Sequence, residues 1–215
     1  MTSSEEMLGQ SPVVPVLVLE DAAAAVPLAQ ALIAGGLRVL EITLRTEAAF
    51  EAIERIAAEV PEAVVGAGTV TRGDQLERLL RLGARFAVSP GATPELYAAA
   101  AASPLPFLPG VATASELMVG LERGYSCFSF FPARPAGGVA ALQGFAGPFP
   151  QARFCPTGGI SGADFTEYLR LPNVVTVGGS WLTPPEAVAA QNWGAITALA
   201  RGACAAAVAA ALSPI

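Results

Sequence analysis

Short apolar runs rich in valine, isoleucine and phenylalanine alternate along the chain with longer stretches whose apolar positions recur every three or four residues. "VVPVLVL" (13–19) reads as a strand, followed by a helical stretch, 22–35, that ends at Gly35-Gly36. "VLEITL" (39–44) is a strand, and 47–59 is a helix with Phe50, Ile53 and Ile56 at helical spacing. "VVGAGT" (64–69) leads to a helix over 73–82, which Gly83 stops. "FAVS" (86–89) leads to 94–102, and "PFLPGV" (106–111) to 114–123. "CFSFF" (127–131) leads to a looser helix near 136–145, and "ARFCPT" (152–157) to 162–170. "VVTVGG" (174–179) leads to final helices near 184–188 and 192–211.

These are eight strand–helix units whose strands start 20 to 26 residues apart. Strand–helix alternation implies parallel pairing through right-handed crossovers. Eight units predict an α/β fold, a single closed (β/α)8 TIM barrel over residues 11–215, with residues 1–10 as an N-terminal arm or fraying helix. A doubly wound open sheet is the alternative, since alternation alone does not show closure. Its dinucleotide-binding version has little support, because no GxGxxG follows the first strand.

Charge and composition narrow the chemistry. With 53% hydrophobic residues among 215, the chain has ample material for a core. A net charge of −6 argues against a nucleic-acid partner. The apolar C-terminal run "GACAAAVAAALSPI" is short of a membrane span, and the polar, acidic start has no signal-peptide pattern. Three cysteines, Cys127, Cys155 and Cys204, make no disulfide framework and fit a reducing cytoplasm. Histidine is absent, which removes the commonest metal ligand and general base and argues against a zinc hydrolase or a Ser–His–Asp hydrolase; no metal or other cofactor is expected. All twelve basic side chains are arginine. The remaining catalytic groups are carboxylates, hydroxyls, thiols, backbone N–H groups and arginine.

In a barrel the active site lies at the C-terminal ends of the strands. Small hydrogen-bonding residues gather at those ends: "GAGT", "SPG", "PGVAT", "SFFPA", "PTGG" and "GGS". Glu41 sits among apolar neighbours in the second strand. Alternation puts it on the same face as Arg45, so it reads either as half of a buried ion pair or as a general base with a raised pKa. The loops "TGGIS" and "GGSW" follow the seventh and eighth strands, where barrels often bind phosphate, and Ser180 adds a hydroxyl. They point to a small phosphorylated ligand. Cys127 and Cys155 read as core thiols, and Trp181 and Trp193 as packing residues.

From about residue 12 to residue 182, the sequence resembles the 2-keto-3-deoxy-6-phosphogluconate (KDPG) and 4-hydroxy-2-oxoglutarate (KHG) aldolase family. The pieces that carry this are "VVPVLVL", "AGGLRVLEITLRT", "VVGAGTV", "FAVSPG", "ASELMVGLERG", "FFPA", "GGVAALQGFAGPFPQARFCPTGGIS" and "VGGSWL". The resemblance implies a cytoplasmic, trimeric class I aldolase that cleaves a keto sugar acid into pyruvate and an aldehyde. A strand-borne lysine forms a Schiff base, and a glutamate moves protons. It assigns the glutamate role to Glu41 and the pyruvate carboxylate to Arg45 and Thr69. Pro90, Phe131 and Thr157 would line the pocket, and Gly158, Gly159, Gly179 and Ser180 would bind phosphate.

One departure changes the picture. The family's "FKFFPA" is "FSFFPA" in this chain, so Ser129 occupies the position of the Schiff-base lysine, and the chain contains no lysine. A hydroxyl cannot form an iminium, so Schiff-base turnover is expected to be absent or strongly impaired. A deliberate knockout, a lysine-free construction and a natural homologue that has lost the chemistry all fit the sequence. The functional alternatives are a non-catalytic binder of sugar acids or phosphate and a lysine-free trimeric scaffold.

Overall fold

The computed structural model describes residues 4–212. In chain order the elements are α1 (Ser4–Leu8), β1 (Val13–Leu17), α2 (Ala25–Ala34), β2 (Val39–Thr43), α3 (Ala49–Glu59), β3 (Val64–Gly68) and α4 (Gly73–Arg81). Then come β4 (Ala87–Val88), α5 (Pro94–Ala101), β5 (Phe107–Leu108), β6 (Gly110–Val111), α6 (Ala114–Glu122), β7 (Cys127–Phe130) and α7 (Gly138–Ala146). The chain ends with β8 (Arg153–Pro156), α8 (Phe165–Leu169), β9 (Val177–Gly179), α9 (Pro185–Ala189) and α10 (Trp193–Leu212). Local chemistry sets several boundaries. Thr93 caps α5 with Pro94 in its first turn, and Thr113 and Glu116 form a reciprocal capping box on α6.

Every strand pair is parallel, but the expected closed (β/α)8 barrel is corrected. The ladders form a six-stranded half-barrel sheet, β5-β4-β3-β2-β1-β9, and a separate three-stranded sheet, β6-β7-β8. Pro109 accounts for one seam. It has no N–H to give to a ladder, and it splits the predicted strand 106–111 into β5, which pairs with β4, and β6, which pairs with β7. The Gly110 N–H beyond the break donates instead to the buried Ser89 hydroxyl, at 3.2 Å. At the other seam only two isolated bridges occur, Phe154 with Val174 and Thr157 with Gly178.

Two apolar layers follow from strand alternation. Val14, Val39, Phe86, Val88, Leu108, Cys127 and Cys155 share an inner cluster, which Met7 and Leu8 of α1 join. Of the expected arm, residues 1–3 lie outside the described residues, and 4–8 form this helix. The opposite strand faces meet the helices. Phe128, Phe130 and Phe154 pack there, with Phe145 of α7 stacked on Phe154 at 6.0 Å between ring centroids. Of the alternating residues in β7, Phe128 and Phe130 therefore face outward and Cys127 and Ser129 inward.

The last helix is longer than the apolar run read from the sequence. At 20 residues it is long and apolar enough to cross a membrane by length and composition alone. Its Ile196, Ala200, Ala203, Ala207 and Ala210 are buried at alternating spacings of four and three. That stripe packs on α2 and α8, where Gly35 admits Ala200 so closely that any Cβ would collide.

Candidate active site

One step beyond the inner cluster, toward the C-terminal ends of the strands, the inward positions become polar. Glu41 follows Val39 by two residues, Ser129 follows Cys127, and Thr157 follows Cys155. Ser129 is directly opposite Cys155 in the β7–β8 register, and the Glu41 charge reaches the Cys155 thiol. Glu41, Ser129, Cys155 and Thr157 thus look into one interior. Cys155 and Thr157 lie within weak hydrogen-bond range, 3.9 Å from Sγ to Oγ1.

Glu41 is buried, with no ion pair to Arg45, which is exposed above it. The buried-pair reading of the sequence is therefore not realised. Burial alone pushes the Glu41 carboxyl up from 4.5 to about 7. A carboxyl poised near neutrality can both take and return a proton. Burial also drives both inner thiols up, Cys127 to about 12, so neither is a thiolate nucleophile at neutral pH.

Glycines seat these side chains. A Cβ on Gly68 of β3 would fall on the Glu41 carboxylate, and a Cβ on Gly178 would fall on the Thr157 hydroxyl. Sequence reading missed both roles, although Gly66 and Gly68 at alternate positions of "VVGAG" signal a side chain crossing that strand. Gly68→Ala is expected to destabilise the fold by about 1–3 kcal/mol through overpacking. Thermal melts of the variant check this.

The remaining predicted residues stand at or just past the C-terminal ends of their strands. Thr69 is half-buried and has φ of +59°, a left-handed conformation that is uncommon for a non-glycine residue. Pro90 and Phe131 are exposed, as is Ser180, and Thr157 and Gly158 are half-buried. The Phe131 ring lies over Gly158, 3.2 Å from where a Cβ would stand. The Thr157 N–H donates to Phe130 O (2.9 Å), and the Ala133 N–H donates to Thr157 O (2.8 Å), so hydrogen bonds tie the loops after β7 and β8 together. Gly158 and Gly159 have φ of +102° and +79°, where glycine is favoured. Gly179 is buried beneath Trp181, which lies where any side chain would go. A cavity of about 450 Å³ opens beside Ser180, lined by Leu17, Leu19, Leu28 and Val188, not by Glu41 or Ser129.

Glu41's raised pKa has a stability consequence. In the folded state the carboxyl holds its proton up to about 7, and in the unfolded state only to 4.5. The folded form therefore binds more protons across that window. Its contribution is fully present below the unfolded value and is lost as pH rises through the folded one. The span corresponds to about 3 kcal/mol. Glu41→Gln, which carries no charge, is expected to be more stable than the native chain at pH 8 and close to it near pH 4.5. Urea unfolding at both pH values measures this. Parallel pH profiles for the two proteins would show that Glu41 does not titrate in this window.

A parallel α/β fold thus carries a buried carboxyl with a pKa near neutrality among inward hydroxyls, with glycine-rich turns at the strand ends, an arrangement suited to acid–base chemistry on a small ligand. Residues 4–199 match the family described as KDPG and KHG aldolase. The chain is 55% identical over 203 residues to the 2-dehydro-3-deoxy-phosphogluconate aldolase of Pseudoalteromonas atlantica, covering 94% of each. It is 55% identical over 200 residues to the KHG/KDPG aldolase of Escherichia coli, covering 93% of this chain and 94% of that one. The KDPG aldolase of Legionella pneumophila, solved with pyruvate captured as a covalent carbinolamine, superposes with a TM-score of 0.91. It is 49% identical over 93% of this chain and 97% of its own. The chain belongs to the KDPG/KHG aldolase family.

Proposed function

We propose that this chain holds the family's oxo-acid site without the group that makes it a Schiff-base aldolase. In the family's reaction, 2-keto-3-deoxy-6-phosphogluconate is reversibly cleaved to pyruvate and glyceraldehyde 3-phosphate. An iminium on a lysine serves as the electron sink. Ser129 stands in "FSFFPA" at the place of that lysine, and no lysine occurs elsewhere in the chain. The observation that carries the proposal is the inward, buried position of Ser129, in register with Cys155 and in the same interior as Glu41.

Within this reading Glu41 is the proton shuttle, and Arg45 with Thr69 receives the pyruvate carboxylate by charge-assisted hydrogen bonds. Pro90, Phe131 and Thr157 wall the pocket, and Gly158, Gly159, Gly179 and Ser180 take the phosphate. As written, the chain binds pyruvate and phosphorylated sugar acids and does not turn them over through an iminium. The intact arrangement of Glu41, Thr157 and the glycine loops also favours a second reading, a dedicated binder of such acids. A cytoplasmic homotrimer is part of the proposal, and sedimentation tests the assembly.

Binding is tested by thermal stabilisation of the native chain with millimolar pyruvate or phosphorylated sugar acid, alongside an assay for pyruvate release. A shift in melting temperature without turnover is expected. No shift with any of these ligands would remove both readings.

A further inference from the structure

We propose that Arg134, which the phosphate assignment above leaves out, is the side chain that distinguishes phosphorylated from unphosphorylated ligands. This rests on the reading that the loops after β8 and β9 hold the phosphate.

Arg134 is built into the glycine turn. Its N–H donates to Gly158 O at 3.0 Å, fixing the backbones of the two loops together. Its aliphatic stem lies along Gly159, with Cβ, Cγ and Cδ at 2.8, 3.6 and 3.5 Å from the position a Gly159 Cβ would occupy. A residue larger than glycine at 159 would push the arginine away from the turn. The guanidinium then reaches Asp164, whose other oxygen accepts from the Ser161 N–H and hydroxyl at 2.7 and 2.8 Å. Asp164 is thereby anchored to the same loop, and it fixes the guanidinium of the side chain whose stem runs along Gly159.

The geometry leaves donors unspent. Asp164 engages Nη2 only, and a guanidinium has five N–H donors in a planar fork. The Arg134 side chain is 61% exposed, so the remaining donors are open to a ligand. Among the described residues, nothing accepts from the N–H groups of Gly159 or Ile160. A guanidinium edge beside free backbone N–H groups suits a phosphate dianion, which has three acceptor oxygens. Neither pyruvate nor an unphosphorylated aldehyde offers that charge at this end of the site.

The simpler role is a surface ion pair that fastens the loop before α8. Such a role does not depend on whether the ligand carries phosphate, and this difference sets the test. Binding of 3-phosphoglycerate, glycerate and pyruvate is measured by calorimetry on the native chain, Arg134→Gln and Arg134→Lys. The native chain should bind 3-phosphoglycerate more tightly than glycerate. Arg134→Gln should reduce that preference about tenfold, the scale of a lost charge-assisted pair. Arg134→Lys should restore part of it, and pyruvate binding should be unchanged throughout.

A native preference for phosphate that survives in Arg134→Gln would overturn the role of Arg134 and leave the glycine loops in place. No preference in the native chain would remove the phosphate reading itself. Equal losses for all three ligands in Arg134→Gln would assign the residue to loop structure and sink the proposal.

Discussion

Ser129→Lys is expected to convert a chain that gives no covalent adduct into one that borohydride traps with pyruvate. Iminium formation needs a primary amine inside the pocket, and the native chain has no lysine to supply one. The substitution site is inward-facing and 2% exposed, and Arg45, Phe131 and Ser180, past the C-terminal ends of their strands, are exposed. A lysine at 129 can therefore extend upward past Thr157, toward the level of Arg45 and Thr69, the residues proposed to receive the pyruvate carboxylate. Its ammonium would lie in the same interior as Glu41, which relieves the buried carboxyl and lowers the lysine's own cost of burial. Cleavage of the phosphorylated keto sugar acid should rise by on the order of 10³-fold or more, since removing a covalent nucleophile costs at least that much elsewhere. Intact-mass spectrometry after borohydride reads the adduct directly. A folded lysine variant that binds pyruvate and stays unmodified would show that the family roles do not transfer to these residues. An adduct on the native chain would place the chemistry on its N-terminal amine.

Which parts of this were legible in the sequence follows from the range of the forces involved. The strand–helix alternation and the eight expected strands are local patterns. The structure places elements close to each predicted span, from Val13–Leu17 to Val177–Gly179. Sheet closure is not local. The chain writes "PFLPGV" as one apolar run, and only the position of Pro109 opposite β4 and β7 determines that pairing changes partner there. The site was legible where a residue contradicts its neighbours: a glutamate within "VLEITL", a serine within "CFSFF". The glycines under Glu41 and Thr157 were not legible. Each belongs to a neighbouring strand, and its function is to have no side chain where another strand's side chain passes. The alternative reading of Glu41 as half of a buried pair with Arg45 failed for a related reason. A shared face does not fix depth: β2 buries Glu41, while Arg45 lies past its end, in solvent. Arg134 escaped notice because its partners, Gly158, Gly159 and Asp164, are all at least 24 residues away in sequence.

Glu41→Gln in the Ser129→Lys background is expected to lower kcat by about 10² to 10⁴, the usual contribution of a positioned acid–base group, with pyruvate affinity little changed. The argument combines geometry with the absence of alternatives. Proton transfer at the pyruvate methyl carbon needs a base inside the pocket. Apart from apolar side chains, the described residues that share that interior with Glu41 carry hydroxyls and thiols, and burial holds Cys155 protonated. Glu41 titrates near 7 in the serine chain because nothing charged offsets its burial. The lysine ammonium supplies that charge, so the Glu41 pKa should fall in the lysine variant, and the acidic limb of its rate profile should lie below pH 7. The double variant should lose that limb altogether while retaining its borohydride adduct. That combination separates proton shuttling from covalent capture. Activity within tenfold of the single variant, with the limb intact, would assign the proton transfer to a water or to the Thr157 hydroxyl. Glu41 would then be a buried carboxyl that the fold tolerates, and the pH dependence of stability would be its main consequence.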